Sequence, residues 1–321
     1  RYLDEGNVFR IAQIDECLPL LDKLSVQSHK QVIICTNDHA ATFIDAHEEQ
    51  LSQSYVTPMR GKHLQGYMNK QVQCELAKEC GFDVPQSVTY HVGDLFPTHV
   101  SYPLLLKPML SIAGEKSDIH ICYTSEQLKT VLQTNSYCTD FLVQEYIEKE
   151  YEINLIGIST DWGVLVPGGI RKIRHYPTIY SPCSFGLYTN IHELGINIQP
   201  IQQFMDKVDY RGPFSVELLH KGHHNYFMEV NLRNDGLAYA ATVAGVNLPA
   251  IYMQFNGIPN DIKVTETYMM DLSIDYCHVK DGHLTFKQWF ADFRKTKCQL
   301  NFNKHDMAPT IYYYLNKIIT V

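Results

Sequence analysis

The spacing of apolar and polar positions along the chain predicts a mixed α/β and α+β protein. Short apolar runs rich in β-branched and aromatic residues indicate strands, and polar segments with helical spacing or turn residues separate them. The predicted strands span residues 31–36, 102–108, 119–123, 141–147, 151–159, 214–219 and 226–232. The predicted helices span residues 40–52, 69–81, 125–133, 236–245 and 285–295.

Two of these predictions rest on clear signals at the ends of the elements. In the helix 69–81, Asn69 is a suitable N-cap and Gly81 a suitable C-terminal stop. The strands 214–219 and 226–232 are separated by a short turn containing Gly222, which predicts a β-hairpin. Residues 161–200, by contrast, are rich in Gly, Pro, Tyr and Ser without a clean period, and we expect a long functional loop there.

Composition and charge restrict the class of protein. A chain of 321 residues is long enough for about two or three packed subdomains. Its 45% hydrophobic and 19% charged residues are typical of a soluble globular protein. The net charge of −8 argues against a nucleic-acid binder, which needs a basic surface. Nine scattered cysteines without a CxxC pair favour reduced thiols in the cytosol over a disulfide framework.

The hydropathy pattern of the sequence identifies neither a membrane span nor a signal peptide. No apolar run reaches the roughly 18 residues needed to cross a bilayer, and no charged and apolar leader opens the chain. The chain begins at Arg1 rather than Met, inside what is predicted to be the remainder of an α/β layer. We therefore expect that further residues precede Arg1 in the natural protein.

The strongest chemical pattern lies in the predicted hairpin. Residues i and i+2 of a strand share one face, so Glu229 and Asn231 project together, and Glu217 on the partner strand can face the same space. Two carboxylates and an amide oxygen form an all-oxygen set that suits Mg²⁺, and a cation would relieve the repulsion between facing acids. Taken alone, these residues fit ordinary polar positions at strand ends better than a metal site.

Lys107 is the one charged residue in an apolar strand that ends at Pro108. A buried ammonium needs an anionic partner, and either a phosphate or a structural carboxylate would serve. The following loop, residues 111–117, contains hydroxyls, Gly114 and Lys116, as a phosphate-covering lid would. It does not match the motif of the Walker-type phosphate loop.

The end of strand 141–147 carries a second candidate for ligand binding. It reads Gln144, Glu145, Tyr146 and Ile147, and Glu152 follows shortly afterwards. A strand whose edge amides and carbonyls are open can bind an adenine through backbone hydrogen bonds. A nearby acid can accept hydrogen bonds from ribose hydroxyls.

A basic cluster lies within the segment 161–200. Arg171, Lys172 and Arg174 stand beside His175 in a chain whose net charge is negative. An acyl phosphate or a dicarboxylate would complement this cluster, and a solvated loop is the alternative interpretation.

The order of these segments resembles the ATP-grasp superfamily, in particular its carboxylate–amine ligase branch, over residues 69–245. Lys107 matches the central lysine of that family, and Lys70, at the start of the helix 69–81, matches its earlier lysine. The segment 144–147 matches the adenine-binding strand between domains, and Glu152 matches the ribose-binding acid. The family's usual Asp-Lys is Asn69-Lys70 here, and the loop 111–117 is less rich in glycine than in D-alanine ligases.

The hairpin and the basic cluster match the same family. Glu217 matches the metal acid of the first strand, and Glu229 and Asn231 match the Glu-x-Asn of the second. Arg233 follows where the family has Asn-Pro-Arg, with leucine in place of proline. The stretch 171–177 resembles the Arg-x-x-x-Tyr-Pro segment of D-aspartate-ligase-like members.

This resemblance implies an ATP-grasp fold with three parts and an extension. Residues 1–68 would be the remainder of a truncated Rossmann-like N-terminal domain, and residues 69–148 a small central α+β subdomain. Residues 149–260 would form a C-terminal antiparallel-sheet subdomain that holds the metal, and residues 261–321 a C-terminal extension. ATP would lie between the central and the C-terminal subdomains.

The implied activity is an ATP-dependent ligation of a carboxylate to an amine through an acyl phosphate. ATP and Mg²⁺ are the implied cofactors, with Mn²⁺ as an alternative metal. Lys70, Lys107 and Lys116 would bind the phosphates, and Arg233, with Arg171 or Arg174, would stabilise the acyl phosphate and the tetrahedral intermediate. The implied partners are small carboxylates and amines such as amino acids, and a homodimer is compatible with them.

Two alternatives remain open at this stage. The same ATP site could belong to a small-molecule kinase whose acceptor is a hydroxyl group. It could also belong to a nucleotide-binding scaffold without turnover in a larger assembly. The residues do not name the carboxylate or the amine.

Overall fold

A computed structural model describes most of the chain and shows three regions of sheet. The described residues are 8–26, 28–58, 64–97, 100–108, 119–134, 139–179, 181–254, 257–259, 261–300, 302, 307 and 311. They contain a two-stranded, a four-stranded and a seven-stranded sheet. The predicted loop 111–117, with Lys116, lies outside the described residues.

The N-terminal region is a small α/β layer. Its helices are α1 (Cys17–Leu24), α2 (Asp38–Ala46), α3 (Glu48–Leu51) and α4 (Leu64–Tyr67). Strands β1 (Gln31–Val32) and β2 (Tyr55–Val56) pair in parallel. The predicted strand 31–36 is therefore shorter than expected, because the chain turns into α2, whose N-cap Asn37 accepts a hydrogen bond from the Ala40 amide at 2.8 Å.

The central region consists of helix α5 (Lys70–Glu79), an antiparallel sheet and helix α6 (Ser125–Thr134). The strands of this sheet are β3 (Ser87–His91), β4 (Leu104–Pro108), β5 (His120–Cys122) and β6 (Asp140–Glu145). Their order in the sheet is β3-β6-β4-β5. Helix α5 confirms the predicted helix 69–81: Asn69 is its N-cap, and Gly81 follows it at a φ of +89°, a conformation that favours glycine.

The C-terminal region is built on the seven-stranded sheet. Its strands are β7 (Tyr151–Thr160), β8 (Gly163–His175), β9 (Cys183–Asn190), β10 (Pro213–Lys221), β11 (His224–Asn231), β12 (Thr267–Met270) and β13 (Cys298–Gln299). Their order is β11-β10-β7-β8-β9-β12-β13. The pairs are antiparallel except for β12 with β13. The predicted hairpin is confirmed as β10 and β11.

Helices cover both faces of this sheet. They are α7 (Gln199–Lys207), α8 (Tyr239–Val243), α9 (Leu248–Gln254), α10 (Leu272–Asp275), α11 (Cys277–Lys280) and α12 (Phe286–Lys295). On one face, Leu155 and Val216 share a core with Phe204 of α7 and with the N-terminal layer. On the other face, Ile156 packs in a second core with Ala240 of α8. Among the described helices, none is long and apolar enough to cross a bilayer.

The expectation of a long loop at residues 161–200 is wrong. Strands β8 and β9 occupy most of this segment and lie inside the large sheet. The glycines that obscured the pattern are required by close packing: a Cβ on Gly168 would lie 2.1 Å from the carbonyl oxygen of Thr189 on β9. A Cβ on Gly186 would lie 2.6 Å from the Ile170 side chain. These glycines therefore belong to a crowded sheet rather than to a loop.

The helix predicted at 236–245 is shorter in the structure. Helix α8 begins only at Tyr239, because the preceding residues form a turn around Asp235. The Asp235 carboxylate accepts a hydrogen bond from the Leu237 amide at 2.8 Å, and the Asp235 carbonyl accepts one from the Ala238 amide at 3.1 Å. A side chain that satisfies the backbone in this way competes with helix formation.

We expect that Asn69→Ala destabilises the protein by about 1 kcal/mol. The Asn69 side chain accepts hydrogen bonds from the amides of Gln71 at 2.9 Å and Val72 at 3.2 Å. Alanine would leave both amides at the first turn of α5 without this acceptor. Urea unfolding would measure the change, and Asn69→Asp, which keeps an acceptor, should retain most of the stability. Equal stability of the alanine variant and the wild type would contradict this role.

Candidate functional site

A cavity lies between the four-stranded sheet and one face of the seven-stranded sheet. It encloses about 260 Å³, just below the range of about 300–1,000 Å³ for small-molecule sites. The predicted site residues that line it are Lys70, Lys107, Gln144, Glu145, Tyr146, Ile147, Glu152, Glu217, Glu229, Asn231 and Arg233. The fold thus brings most of the predicted site residues into one space.

Two lysines form the cationic side of the cavity. Lys107 lies on β4, and only 4% of its surface is exposed. Lys70 is the first residue of α5, and its Nζ donates a hydrogen bond to the carbonyl oxygen of Pro108 at 3.5 Å. Burial, reinforced by the nearby charge of Lys70, lowers the pKa of Lys107 to about 8. An anion that enters this end of the cavity would therefore favour the charged form of Lys107.

The hairpin forms the acidic side. Glu217 on β10 stands directly opposite Glu229 on β11, and Ser215 stands opposite Asn231. Residues that face each other across two strands project to the same side of the sheet, so the two carboxylates and the Asn231 amide share one face. The Asn231 Nδ2 group donates to Ser215 Oγ at 3.3 Å, which turns the Asn231 amide oxygen away from Ser215.

The composition of this set fits a hard cation that also binds a phosphate. Among the described residues, no group of three His, Cys, Asp or Glu side chains could hold a metal ion by itself. The facing pair Glu217 and Glu229 has two carboxylates, and Asn231 adds an amide oxygen. Mg²⁺ accepts few protein oxygens and completes its shell with water and substrate phosphate, so the set suits Mg²⁺ rather than a zinc site.

Lys172 is a charged residue of this site that the sequence analysis did not assign to it. Its Nζ lies 2.8 Å from Glu152 Oε2 and 2.5 Å from Glu217 Oε2, and its side chain is 5% exposed. Lys172 stands opposite Glu152 in the pairing of β7 with β8. The alternation along β8 is the signal that could have identified it, but this signal applies only once residues 163–175 are known to be a strand.

Glu152 is held by two cations. Besides Lys172, the Lys149 ammonium forms an ion pair with Glu152 and donates a hydrogen bond to the carbonyl oxygen of Ile179 at 2.7 Å. Burial raises the pKa of Glu152, but the charges of Lys172 and Lys149 outweigh this effect and bring the pKa to about 2. Glu152 is therefore a fixed carboxylate on the wall of the cavity.

Two of the predicted arginines do not reach the cavity. Arg171 is exposed and directly precedes Lys172, so it projects from the opposite face of β8. There its guanidinium lies 4.2 Å from the centre of the Tyr151 ring. Arg174 binds Asp275 through two hydrogen bonds of 3.0 and 2.8 Å, and Asp292 through a third of 2.6 Å. Arg174 thus connects β8 to the C-terminal helices.

Arg233 does line the cavity, and it connects the hairpin to the N-terminal layer. Its Nε donates to Asp38 Oδ1 at 2.7 Å, and its NH2 group donates to Asn231 Oδ1 at 3.1 Å. Asp38, the first residue of α2, lines the cavity as well. The sequence alone did not assign Asp38 to the site, since its contact with Arg233 joins segments 195 residues apart.

The segment 144–147 presents less open backbone than expected. Strand β6 lies between β3 and β4 rather than at an edge, so Gln144 is paired on both sides. Glu145 pairs with Leu104, and its amide donates to the carbonyl oxygen of Gln86 at 2.8 Å. The Tyr146 amide donates to the carbonyl oxygen of Pro103 at 3.2 Å. Ile147, which is buried and lies beyond the last residue of β6, also lines the cavity. Tyr146 and Ile147 therefore line the cavity beyond the end of the strand.

Similar proteins are ligases of considerably greater length. No protein family model matches the chain. The D-aspartate ligase of Enterococcus faecium is 24% identical over 251 residues, which cover 71% of this chain and 59% of the ligase. The carbamoyl phosphate synthase large chain of Saccharolobus solfataricus is 23% identical over 236 residues, which cover 68% of this chain and 21% of that protein.

Solved structures show the same architecture. The biotin carboxylase domain of the Hydrogenobacter thermophilus 2-oxoglutarate carboxylase, solved with MgADP, has a TM-score of 0.62 at 15% identity, covering 81% of this chain and 62% of that one. The L-amino acid ligase from Bacillus licheniformis has a TM-score of 0.58 at 15% identity, covering 76% and 60%. The chain has the ATP-grasp fold. As its motifs predicted, it resembles the ATP-dependent ligases that share this fold.

Proposed function

We propose that this protein is an ATP-dependent carboxylate–amine ligase that forms an amide or peptide-like bond. The observation that carries the proposal is the meeting of Lys70 and Lys107 with the facing acids Glu217 and Glu229 in one cavity. Cations on one side and acids on the other suit a nucleotide polyphosphate together with its metal. The names of the D-aspartate ligase and the L-amino acid ligase among the similar proteins support the same activity.

In this proposal ATP lies along the cavity. Residues 144–147 contact the adenine, and Glu152 accepts hydrogen bonds from the ribose hydroxyls. Lys70 and Lys107 bind the phosphates, and the buried position of Lys107 favours such an anion. Lys116 is retained as a phosphate ligand on the basis of the family resemblance alone.

Glu217, Glu229 and Asn231 would hold Mg²⁺, with Mn²⁺ as an alternative. When bound, the metal neutralises negative charge on the phosphates during transfer. Since Glu217 Oε2 contacts Lys172, we assign the other oxygen of Glu217 to the metal. Lys172 then fixes the orientation of this carboxylate.

The proposed reaction has two steps. First, an oxygen of the substrate carboxylate attacks the γ-phosphorus of ATP, the bond between this phosphorus and the β–γ bridging oxygen breaks, and ADP leaves. Second, the amine attacks the acyl carbon and loses a proton, and inorganic phosphate leaves. We assign Arg233 to the acyl phosphate, and we leave Arg171 and Arg174 out of the chemistry because of their contacts elsewhere. Such catalysis rests on positioning and charge neutralisation.

Amino acids are the substrate class that we favour. The similar proteins include ligases named for D-aspartate, L-amino acids and D-alanine. We also propose a cytosolic setting, which the free thiols of the described cysteines support. A homodimer remains part of the proposal because a similar biotin carboxylase domain was solved as a dimer.

The test of this function is the release of ADP from Mg–ATP in the presence of paired substrate pools. Pools of amino acids and other small carboxylates would be combined with pools of amines, and each pool would also be supplied alone. A ligase should release ADP at its full rate when both pools are present, and mass spectrometry should detect an amide product.

Two other outcomes would overturn the proposal. ADP release with a hydroxyl compound alone, together with a phosphorylated product, would identify a small-molecule kinase. Binding of Mg–ATP without any ADP release across all pools would identify a nucleotide-binding scaffold.

Binding of an ATP analogue should weaken as the pH rises through about 8, the pKa of Lys107. Below that pH Lys107 is charged and attracts phosphate; above it the neutral amine does not. The dissociation constant, measured by calorimetry with Mg²⁺ and without amine substrate, should rise by up to about tenfold per pH unit. Lys107→Arg keeps its charge in this range and should show little rise. The same alkaline rise in both proteins would assign it to another group.

A further inference from the structure

Strand β11, which carries Glu229 and Asn231, is the outermost strand of the large sheet. The outward backbone groups of such a strand have no neighbouring strand to pair with, and buried backbone groups need hydrogen-bond partners. Near its start, the strand is bridged by Asp83, whose carbonyl oxygen accepts from the Phe227 amide at 2.7 Å. Near its end, a side chain takes the place of a neighbouring strand.

That side chain is Gln73 of helix α5. Its Oε1 accepts a hydrogen bond from the Val230 amide at 3.0 Å, and its Nε2 donates to the Val230 carbonyl oxygen at 3.1 Å. Val230 is the residue between Glu229 and Asn231. Gln73 therefore pairs with the backbone at the centre of the predicted metal-binding segment, as a residue of an adjacent strand would.

The orientation of this amide is determined by three hydrogen bonds. Gln73 Nε2 also donates to the carbonyl oxygen of Tyr67 at 2.7 Å, and only 5% of Gln73 is exposed. If the amide oxygen and nitrogen of Gln73 were exchanged, the Nε2 group would face the Val230 N–H. The oxygen would then face the carbonyl oxygens of Val230 and Tyr67, and none of the three hydrogen bonds could form. The arrangement therefore holds Val230 in one position.

Helix α5 connects this contact to the cationic side of the cavity. Residues three and four apart lie on the same side of a helix, so Lys70, Gln73 and Cys74 share one face of α5. Lys70 contacts the carbonyl oxygen of Pro108, and Cys74 Sγ lies 3.9 Å from Gln144 Nε2. One face of α5 thus contacts the predicted adenine-binding segment 144–147, the end of β4 and strand β11.

We propose that Gln73 is a positioning residue for the metal–nucleotide complex, an inference that rests on the proposed function. Because Gln73 holds the peptide groups of Val230, it sets the direction in which Glu229 and Asn231 project relative to Lys70. Side chains that hold metal ligands in place contribute about 10- to 100-fold to metal affinity in characterised sites. A comparable effect is expected here, although Gln73 does not touch the ligand side chains.

The experiment compares Gln73→Met with Gln71→Met in the full chain. Methionine has nearly the length of glutamine but cannot pair with the Val230 backbone. Gln71 lies on the same helix and donates to Glu75 at 2.7 Å in an exposed pair, so it provides a matched control. Calorimetry would give the dissociation constant of a non-hydrolysable ATP analogue with Mg²⁺ and, separately, with EDTA in place of the metal.

We expect Gln73→Met to weaken binding of the Mg²⁺ complex by about 10- to 100-fold while binding of the metal-free analogue stays unchanged. A Gln73 residue that served only to stabilise the fold would change both constants or neither, and either result would overturn the inference. If Gln73→Met does not fold, Gln73→Asn replaces it, since this shorter side chain keeps both polar groups but cannot reach Val230.

The control separates this inference from the proposed function. If the wild type and Gln71→Met bind the analogue equally with and without Mg²⁺, the metal site itself is refuted, and Gln73 has no such role. If both show the metal dependence and Gln73→Met shows the same dependence, the metal site stands and the positioning role is refuted.

Discussion

Glu229→Gln is expected to lower kcat for ATP turnover by about 10²- to 10³-fold, the effect of removing one group that stabilises transition-state charge. Glutamine keeps the size of the side chain and one oxygen but removes the negative charge. Of the facing carboxylates, Glu217 alone would then remain, and it is shared with Lys172. A metal bound there would be held by too little charge to support phosphoryl transfer.

Folding should not be the cause of this loss. Removing one of two facing carboxylates relieves their repulsion, while the attraction between Glu229 and Lys107 is lost. These effects oppose each other, so the free energy of unfolding should change little. ADP release at saturating substrates would measure the effect, beside urea unfolding of the same preparation. Glu79→Gln is the control, since Glu79 pairs with Lys207 at the surface. Full turnover in Glu229→Gln would remove Glu229 from the metal site.

Lys172→Met is expected to destabilise the fold by about 3–5 kcal/mol at neutral pH, the cost of removing one partner from a buried ion pair. Lys172 bridges Glu152 and Glu217, and all three side chains are at most 10% exposed. Methionine would fill a similar volume without supplying charge. Glu217 would lose its cation, and Glu152 would keep only Lys149.

This loss should depend on pH in a defined direction. In the wild type, the pKa of Glu152 is about 2, below its ordinary value of 4.5. A lowered carboxylate pKa stabilises the fold above pH 4.5, and that contribution disappears as the pH falls from 4.5 towards 2. Without Lys172 the pKa of Glu152 rises, so the difference between variant and wild type should shrink in the same acidic range.

Urea unfolding at several pH values would measure this dependence. Lys207→Met is the matched control, because its pair with Glu79 is largely exposed and such pairs contribute about 0–1 kcal/mol. A Lys172→Met protein as stable as the control variant, or one whose deficit did not change with pH, would show that the bridge does not stabilise the fold.

The elements that follow from local chemistry could be predicted from the sequence. Helix α5 has its cap and its stop within its own sequence, Asn69 and Gly81. The hairpin has apolar alternation and a turn glycine at Gly222. Strands β8 and β9 could not be predicted in this way, because residues such as Gly168 are required by the proximity of the neighbouring strand. That proximity does not exist until the sheet has formed.

The same division applies to the site. The sequence by itself determined the chemical types at the cavity: lysines at 70 and 107 and the acid–amide pattern of β11, each readable within one segment. Only the tertiary structure decided that Lys172 bridges two acids, that Arg233 contacts Asp38, and that Arg171 and Arg174 lie elsewhere. The physical reason is that these contacts depend on strand order and on which face of a strand is buried. Both are set by packing between segments far apart in the chain.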